Sequence, residues 1–193
     1  MENEPSRRPW DIDHGSATKR YSSFISHVSG DVQSARRLAA EISALSVRDG
    51  LPALTCFLDV HNWRPRVEPR KNIQEALLAS EHVVVWATPK YLAESGRGWV
   101  WYELAYADLI DQTMQYDLSE KTPLRAYPFV IPILRGVVIE DVARTPLCDY
   151  WQRSIHRPDR RPAISEVARL LIETYRDNYP VAPRRVDGPG GGR

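Results

Sequence analysis

Cysteine is scarce in this chain: Cys56 and Cys148 are the only two in 193 residues. That excludes a disulfide scaffold, in which several bridges replace a core, and leaves one bridge at most. None of the five histidines falls at metal-ligand spacing with either cysteine, so no metal site is expected. No run approaches the roughly eighteen apolar residues of a membrane-spanning helix. The opening residues, Met1 to Trp10, lack the apolar segment of a signal peptide. A cytoplasmic protein without a membrane partner is therefore expected. Charge of one sign is missing too, since 26 Lys and Arg face 25 Asp and Glu, which argues against a dedicated nucleic-acid binder. Arg153, Arg157, Arg160 and Arg161 make one candidate basic patch, read here as a solvated surface segment. There is no glycine-rich phosphate loop either, because Gly188-Pro189-Gly190-Gly191-Gly192 neither follows a strand nor opens a helix.

What is present suits one domain with a buried core: hydrophobic content is 42% and charged content 26%. Residues 1–19 read as a flexible lead-in, 20–180 as the folded domain, and 181–193 as a disordered Pro/Gly-rich tail. Between the tails, strand and helix patterns alternate. Tyr21–Ser26 reads as a strand, followed by a turn and helix N-cap at Ser29-Gly30-Asp31, then a helix carrying Val32, Ala35, Leu38, Ile42 and Leu45. Leu54–Asp59 reads as a second strand, Lys71–Ser80 as a helix, and His82–Ala87 as a third strand buried on both faces. Phe129–Leu134 is a fourth, and its Pro132 suits a strand that lies near an edge or ends early. A fifth is expected near Val137–Ile139 or Leu147–Tyr150, before a terminal helix over Ile164–Tyr179 with Val167, Leu170, Leu171, Thr174 and Tyr175 inward. The expected fold is α/β: a flavodoxin-like parallel sheet of about five strands, order 2-1-3-4-5, with helices on both faces.

One carboxylate stands in an apolar place. The segment Gly98 to Ile110 reads as a helix, and at about 100° per residue Trp99, Tyr106, Ala107 and Ile110 share a face. Glu103 projects between Ala107 and Ile110, while Asp108 and Asp111 point elsewhere. A core-facing Glu must be paired, protonated or placed in a cleft, because an uncompensated buried carboxylate is costly. Both a structural and a catalytic role stand on the helix pattern alone.

Sheet logic adds direction. Ligands of open parallel sheets gather outside the carboxyl ends of the strands, at the switch in strand order. Between strands one and three, those ends are Ser26-His27 and Ala87-Thr88. Asp59 ends strand two and its loop carries Trp63, while Tyr91 and Ser95 precede the Glu103 helix. Ser26, His27, Thr88, Trp99 and Glu103 should converge on one crevice. A receiver domain is excluded, since strand three ends without an acceptor Asp. A Ser26-His27 dyad is excluded because neighbours on an extended segment point to opposite faces.

Three segments then resemble a TIR (Toll/interleukin-1 receptor) domain of bacterial type, over about residues 20–178. They are Phe24-Ile25-Ser26-His27, Phe57-Leu58-Asp59 with the Trp63 loop, and Thr88 to Ser95 followed by Trp99-Val100-Trp101-Tyr102-Glu103-Leu104. The resemblance implies cleavage of the nicotinamide–ribose bond of NAD+, with NAD+ as substrate, no other cofactor, and Glu103 as catalytic carboxylate. It implies substrate contacts from Ser26, His27, Thr88, Ser95 and Trp99, and from Asp59 and Trp63 in the loop. For the tryptophans the competing reading is packing; for His27, a hydrogen-bonded strand end; for Asp59, fixing the loop. It also implies a homo-oligomer built on TIR–TIR contacts, a separate sensor or effector protein, and a role in antiphage defence. Two departures stand out: Val100 replaces the frequent Cys, and Val60–Arg70 lacks the Arg-Asp-x-x-Pro-Gly signature of animal receptors. A non-catalytic interaction module and a nucleoside-processing transferase are the alternatives.

Overall fold

A strand buried along its whole length must lie inside a sheet covered on both faces. Ser80–Ala87 (β3) is such a strand, with all eight residues buried. The computed structural model describes residues 21–58, 67–116, 129–155 and 160–178. In it β3 lies between β1 (Tyr21–Ser26) and β4 (Val130–Leu134), with β2 (Cys56–Phe57) beyond β1. All pairings are parallel and the order is β2-β1-β3-β4.

Side-chain alternation divides the core in two. Phe24, Val83, Val85 and Ala87 face one helical layer: α2 (Pro69–Leu78), α3 (Pro89–Glu94) and α4 (Gly98–Tyr116). Ile25, Val84, Trp86, Ile131 and Ile133 face the other, α1 (Val32–Arg48) and α6 (Ile164–Asn178). On α6 the fully buried residues are Val167, Ala168, Leu171 and Ile172. The inward face is thus turned from the expected one, and Leu170, Thr174 and Tyr175 lie at its margin, half-buried. A short α5 (Ile139–Val142) and a 3-10 segment (Cys148–Arg153) follow β4.

The sheet has four strands among the described residues, not five. Both segments expected to supply the fifth are otherwise engaged: α5 begins at Ile139, and Leu147–Tyr150 leads into the 3-10 segment. A single parallel bridge, Ile133 to Ile155, continues the order outward. Its bonds run from Leu134 N–H to the Ile155 carbonyl (3.0 Å) and from Ile155 N–H to the Pro132 carbonyl (2.8 Å). Residue 132 therefore directs its backbone polar groups away from β3, so the N–H that proline lacks is not one the β3 ladder needs. β2 is also shorter than expected. The Leu54 N–H is drawn to Ser46 Oγ at the end of α1 (3.0 Å), and the Thr55 carbonyl takes both the N–H and the hydroxyl of Ser22. Only two residues are left to ladder onto β1. The expected tails fall outside the described residues.

No described helix is long and apolar enough to cross a membrane, and no described group of His, Cys, Asp or Glu could hold a metal. Both cysteines are free. Burial pushes the Cys56 thiol up to about 12, while hydrogen bonds with Ser22 and Ser23 act in the lowering direction. Folding thus holds a proton on Cys56 that the unfolded chain releases from about pH 9 upward. Stability from this group is complete below pH 9 and is lost as pH rises towards 12. Denaturation followed across this alkaline range should show a falling midpoint, with part of the fall removed in Cys56→Ala.

Candidate functional site

The site is built where β1 ends. Alternation along β1 sends Phe24 and Ser26 to the α2–α4 side and Ile25 to the α1–α6 side. Ser26 Oγ donates to Glu103 Oε2 at 2.5 Å and lies 2.8 Å from the Tyr91 hydroxyl. A serine hydroxyl has one hydrogen, and Glu103 takes it. The Tyr91 hydroxyl is therefore the donor to Ser26, and a relay runs from Tyr91 through Ser26 to Glu103. The short Ser26–Glu103 distance is that of a hydroxyl on an ionised carboxylate. All three groups are buried: Ser26 1% exposed, Tyr91 0% and Glu103 4%. Burial, and then the Glu103 charge, pushes the Tyr91 phenol well above its ordinary range, so it remains a neutral donor.

Local sequence explains each placement. Thr88 caps α3, accepting from the Tyr91 N–H at 3.2 Å, and Pro89 at the first helical position presets the turn. This directs Tyr91, on the first turn, back beneath β1. Ser95 ends α3 with its hydroxyl on the Leu92 carbonyl at 2.8 Å. Gly98, at φ +62°, then makes the sharp entry into α4 that a side chain would resist.

On α4 the buried arc is Val100, Glu103, Leu104, Ala107, Ile110 and Asp111. Glu103 is inward as expected, but the arc is rotated relative to the expected face. Trp99 is 51% exposed and meets Tyr102 edge-on, with ring centres 6.1 Å apart. Asp111 is buried and paired with Arg153 at 3.1 Å, and Asp108 accepts from the Tyr150 hydroxyl. The 3-10 segment Cys148–Arg153 covers that side of α4, which helix periodicity alone does not reveal.

The expected residues divide as follows. Ser26 and Glu103 meet directly. Thr88 is adjacent through Tyr91, but its hydroxyl goes to Asp31 Oδ2 at 2.7 Å, so Asp31 stands at the N-cap of α1 without capping it. His27 bonds its own strand: Nδ1 lies 3.1 Å from the Ile25 carbonyl, which can only accept, so Nδ1 carries the hydrogen. Ser95 serves the end of its helix, and Asp59 and Trp63 lie outside the described residues. Tyr91 and Asp31 were not singled out as site residues, though Tyr91 follows Thr88-Pro89 at the spacing of a capped first turn.

No protein-family model and no curated protein matches this chain. Any functional reading therefore rests on the residues themselves. Chemically, the relay holds a carboxylate of fixed orientation at the carboxyl rim between β1 and β3. Such a group can stabilise a developing positive charge or hold a sugar hydroxyl.

Proposed function

We propose that this protein is a TIR-type NAD+ nucleosidase, with Glu103 as its catalytic carboxylate. The observation that carries the reading is the Ser26–Glu103 hydrogen bond at the β1–β3 switch, where open parallel sheets bind their ligands. Departure of nicotinamide breaks the C1′–N bond, and the electron pair leaves with the neutral ring. The ribose acquires oxocarbenium character, which the Glu103 carboxylate stabilises. Water adding at C1′ yields ADP-ribose and a proton; attack by a nucleophilic atom of the same molecule yields a cyclic product instead. Because nicotinamide departs neutral from a cationic ring, no strong general acid is required, and a relay of neutral hydroxyls is adequate. Ser26 and Tyr91 act as positioning residues that hold the carboxylate plane. Trp99, half-exposed one turn before Glu103, is the stacking surface for a base or ring. Cytoplasmic location, self-assembly and a separate sensor or effector belong to the same proposal.

A different observation favours a second reading. Glu103 is only 4% exposed, while Trp99 and Trp101 are about half exposed. A carboxylate that ties β1 to α3 and α4, beneath an exposed aromatic helix, suits a non-catalytic assembly module. Incubating concentrated protein with NAD+ and analysing the products by mass spectrometry separates the two. Free nicotinamide, with ADP-ribose or a cyclic isomer, is the expected result. Intact NAD+ at every protein concentration would leave the assembly module standing, and cleavage of simple nucleosides in preference to NAD+ would indicate a transferase.

A further inference from the structure

At the carboxyl rim of the sheet, Lys90 lies against Gly30, the residue before Asp31, while Arg135 feels the Asp31 charge and is joined by Arg161. Lys90, in the first turn of α3, places Nζ 2.8 Å from where a Cβ on Gly30 would stand. Arg135, the residue after β4, lays its guanidinium 4.7 Å from the centre of the Trp86 ring and donates from Nη1 to the Pro162 carbonyl. Arg161 in turn presses Nε and Nη2 to 3.0 Å from the Cβ position of Gly136, whose φ of +72° also favours glycine. The pairs 135–136 and 161–162 are thereby interlaced, which brings the two guanidiniums together. Their proximity is felt: burial and the Arg161 charge lower the Arg135 pKa, and Asp31 opposes them.

Other arginines nearby are neutralised, Arg153 by Asp111 and Arg160 by Glu166. Among the described residues no carboxylate forms an ion pair with Lys90, Arg135 or Arg161. Arg135 is held by an indole face and a carbonyl, and neither cancels its charge. Two guanidiniums held side by side repel each other, the Asp31 carboxylate offsets only part of that, and a bound dianion reverses the sign of the interaction. The planar fork of each guanidinium matches a pair of phosphate oxygens.

We propose that Lys90, Arg135 and Arg161 form a binding site for a phosphoryl group at the carboxyl rim of the sheet. Three cations against Asp31 leave a surplus of two positive charges, which suits a phosphate dianion better than a carboxylate. Lys90 directly precedes Tyr91 of the relay, so the site shares the carboxyl rim with Ser26 and Glu103, but none of its three cations belongs to that relay and the proposal does not depend on the nucleosidase reading. Its ligand is either free phosphate or nucleotide, or the diphosphate of a dinucleotide that crosses the rim.

Isothermal titration of inorganic phosphate and of ADP, against chloride at constant ionic strength, tests this. One-to-one binding is expected, weakened roughly tenfold or more in Arg161→Ala. Arg161 is exposed and makes no ion pair among the described residues, so the phosphate-free melting temperature of that variant should be unchanged or higher. Lys90→Ala should weaken binding in the same direction. If phosphate competes with NAD+, the ligand is the dinucleotide's diphosphate; if the two bind independently, it is a free phosphate or nucleotide. Absence of binding at millimolar phosphate and ADP, or unchanged affinity in both variants, would overturn the assignment.

Discussion

Glu103→Gln is expected to lower the rate of nicotinamide release from NAD+ by about two to three orders of magnitude, the usual loss when a charge-stabilising group is neutralised. The amide retains the shape of the carboxylate and an oxygen to accept from Ser26 Oγ, so the Tyr91–Ser26 relay persists. What disappears is the negative charge. The melting temperature should therefore move little, and the loss should fall on kcat rather than KM, since the oxocarbenium character exists only in the transition state. Ser26→Ala should be milder, because it releases the carboxylate's orientation and keeps its charge. Release at wild-type rates from a folded Glu103→Gln protein would remove Glu103 from catalysis and return it to the structural role that its burial also suits.

Trp86→Ala is expected to lower the unfolding free energy by about 3–5 kcal/mol, the range for deleting a large aromatic from a packed core. Trp86 lies in the central strand, 1% exposed, within the cluster that joins the sheet to α1 and α6. Its ring also supports Arg135. Truncation opens a cavity that the flanking Val84, Ile131 and Ile133 can fill only by moving backbone. Urea denaturation measures this directly. A cost near 1 kcal/mol would mean that the α1–α6 layer collapses freely onto the sheet, and that its packing is looser than the burial of these residues indicates.

The two predictions draw on different parts of the sequence's legibility. The position of β3 and the inward direction of Glu103 were both readable, because each follows from periodicity within one segment. A β-branched run without alternation has no solvated face, and a helix residue between Ala107 and Ile110 must turn towards the core. Trp86, inside that run, was legible as core for the same reason. Pro132 was readable as a sign that its strand lies near an edge or ends early, since it lacks a donor for a ladder on one side.

Other features were decided by contacts between distant segments. Ser26 is 65 residues from Tyr91 and 77 from Glu103, and no local pattern states that their hydroxyls and carboxylate meet. The burial of Asp111 depends on Arg153 and on a 3-10 segment laid across α4. That same layer draws Asp111 into the buried arc at the far end of α4, while Trp99 at its start stays half-exposed. The fifth strand, not found among the described residues, is a further case: the apolar residues after β4 could satisfy their backbone groups in helical turns as well as in a ladder, and among the described residues a single bridge at Ile155 formed. By itself, then, the sequence determined an α/β alternation, a parallel sheet, and one carboxylate directed at its carboxyl rim. Tertiary structure alone decided which hydroxyls hold that carboxylate and which arginines, among the described residues, form no ion pair. The physical reason is that periodicity acts through neighbours a few residues apart, whereas hydrogen-bond and ion-pair partners are chosen by the packing of whole elements.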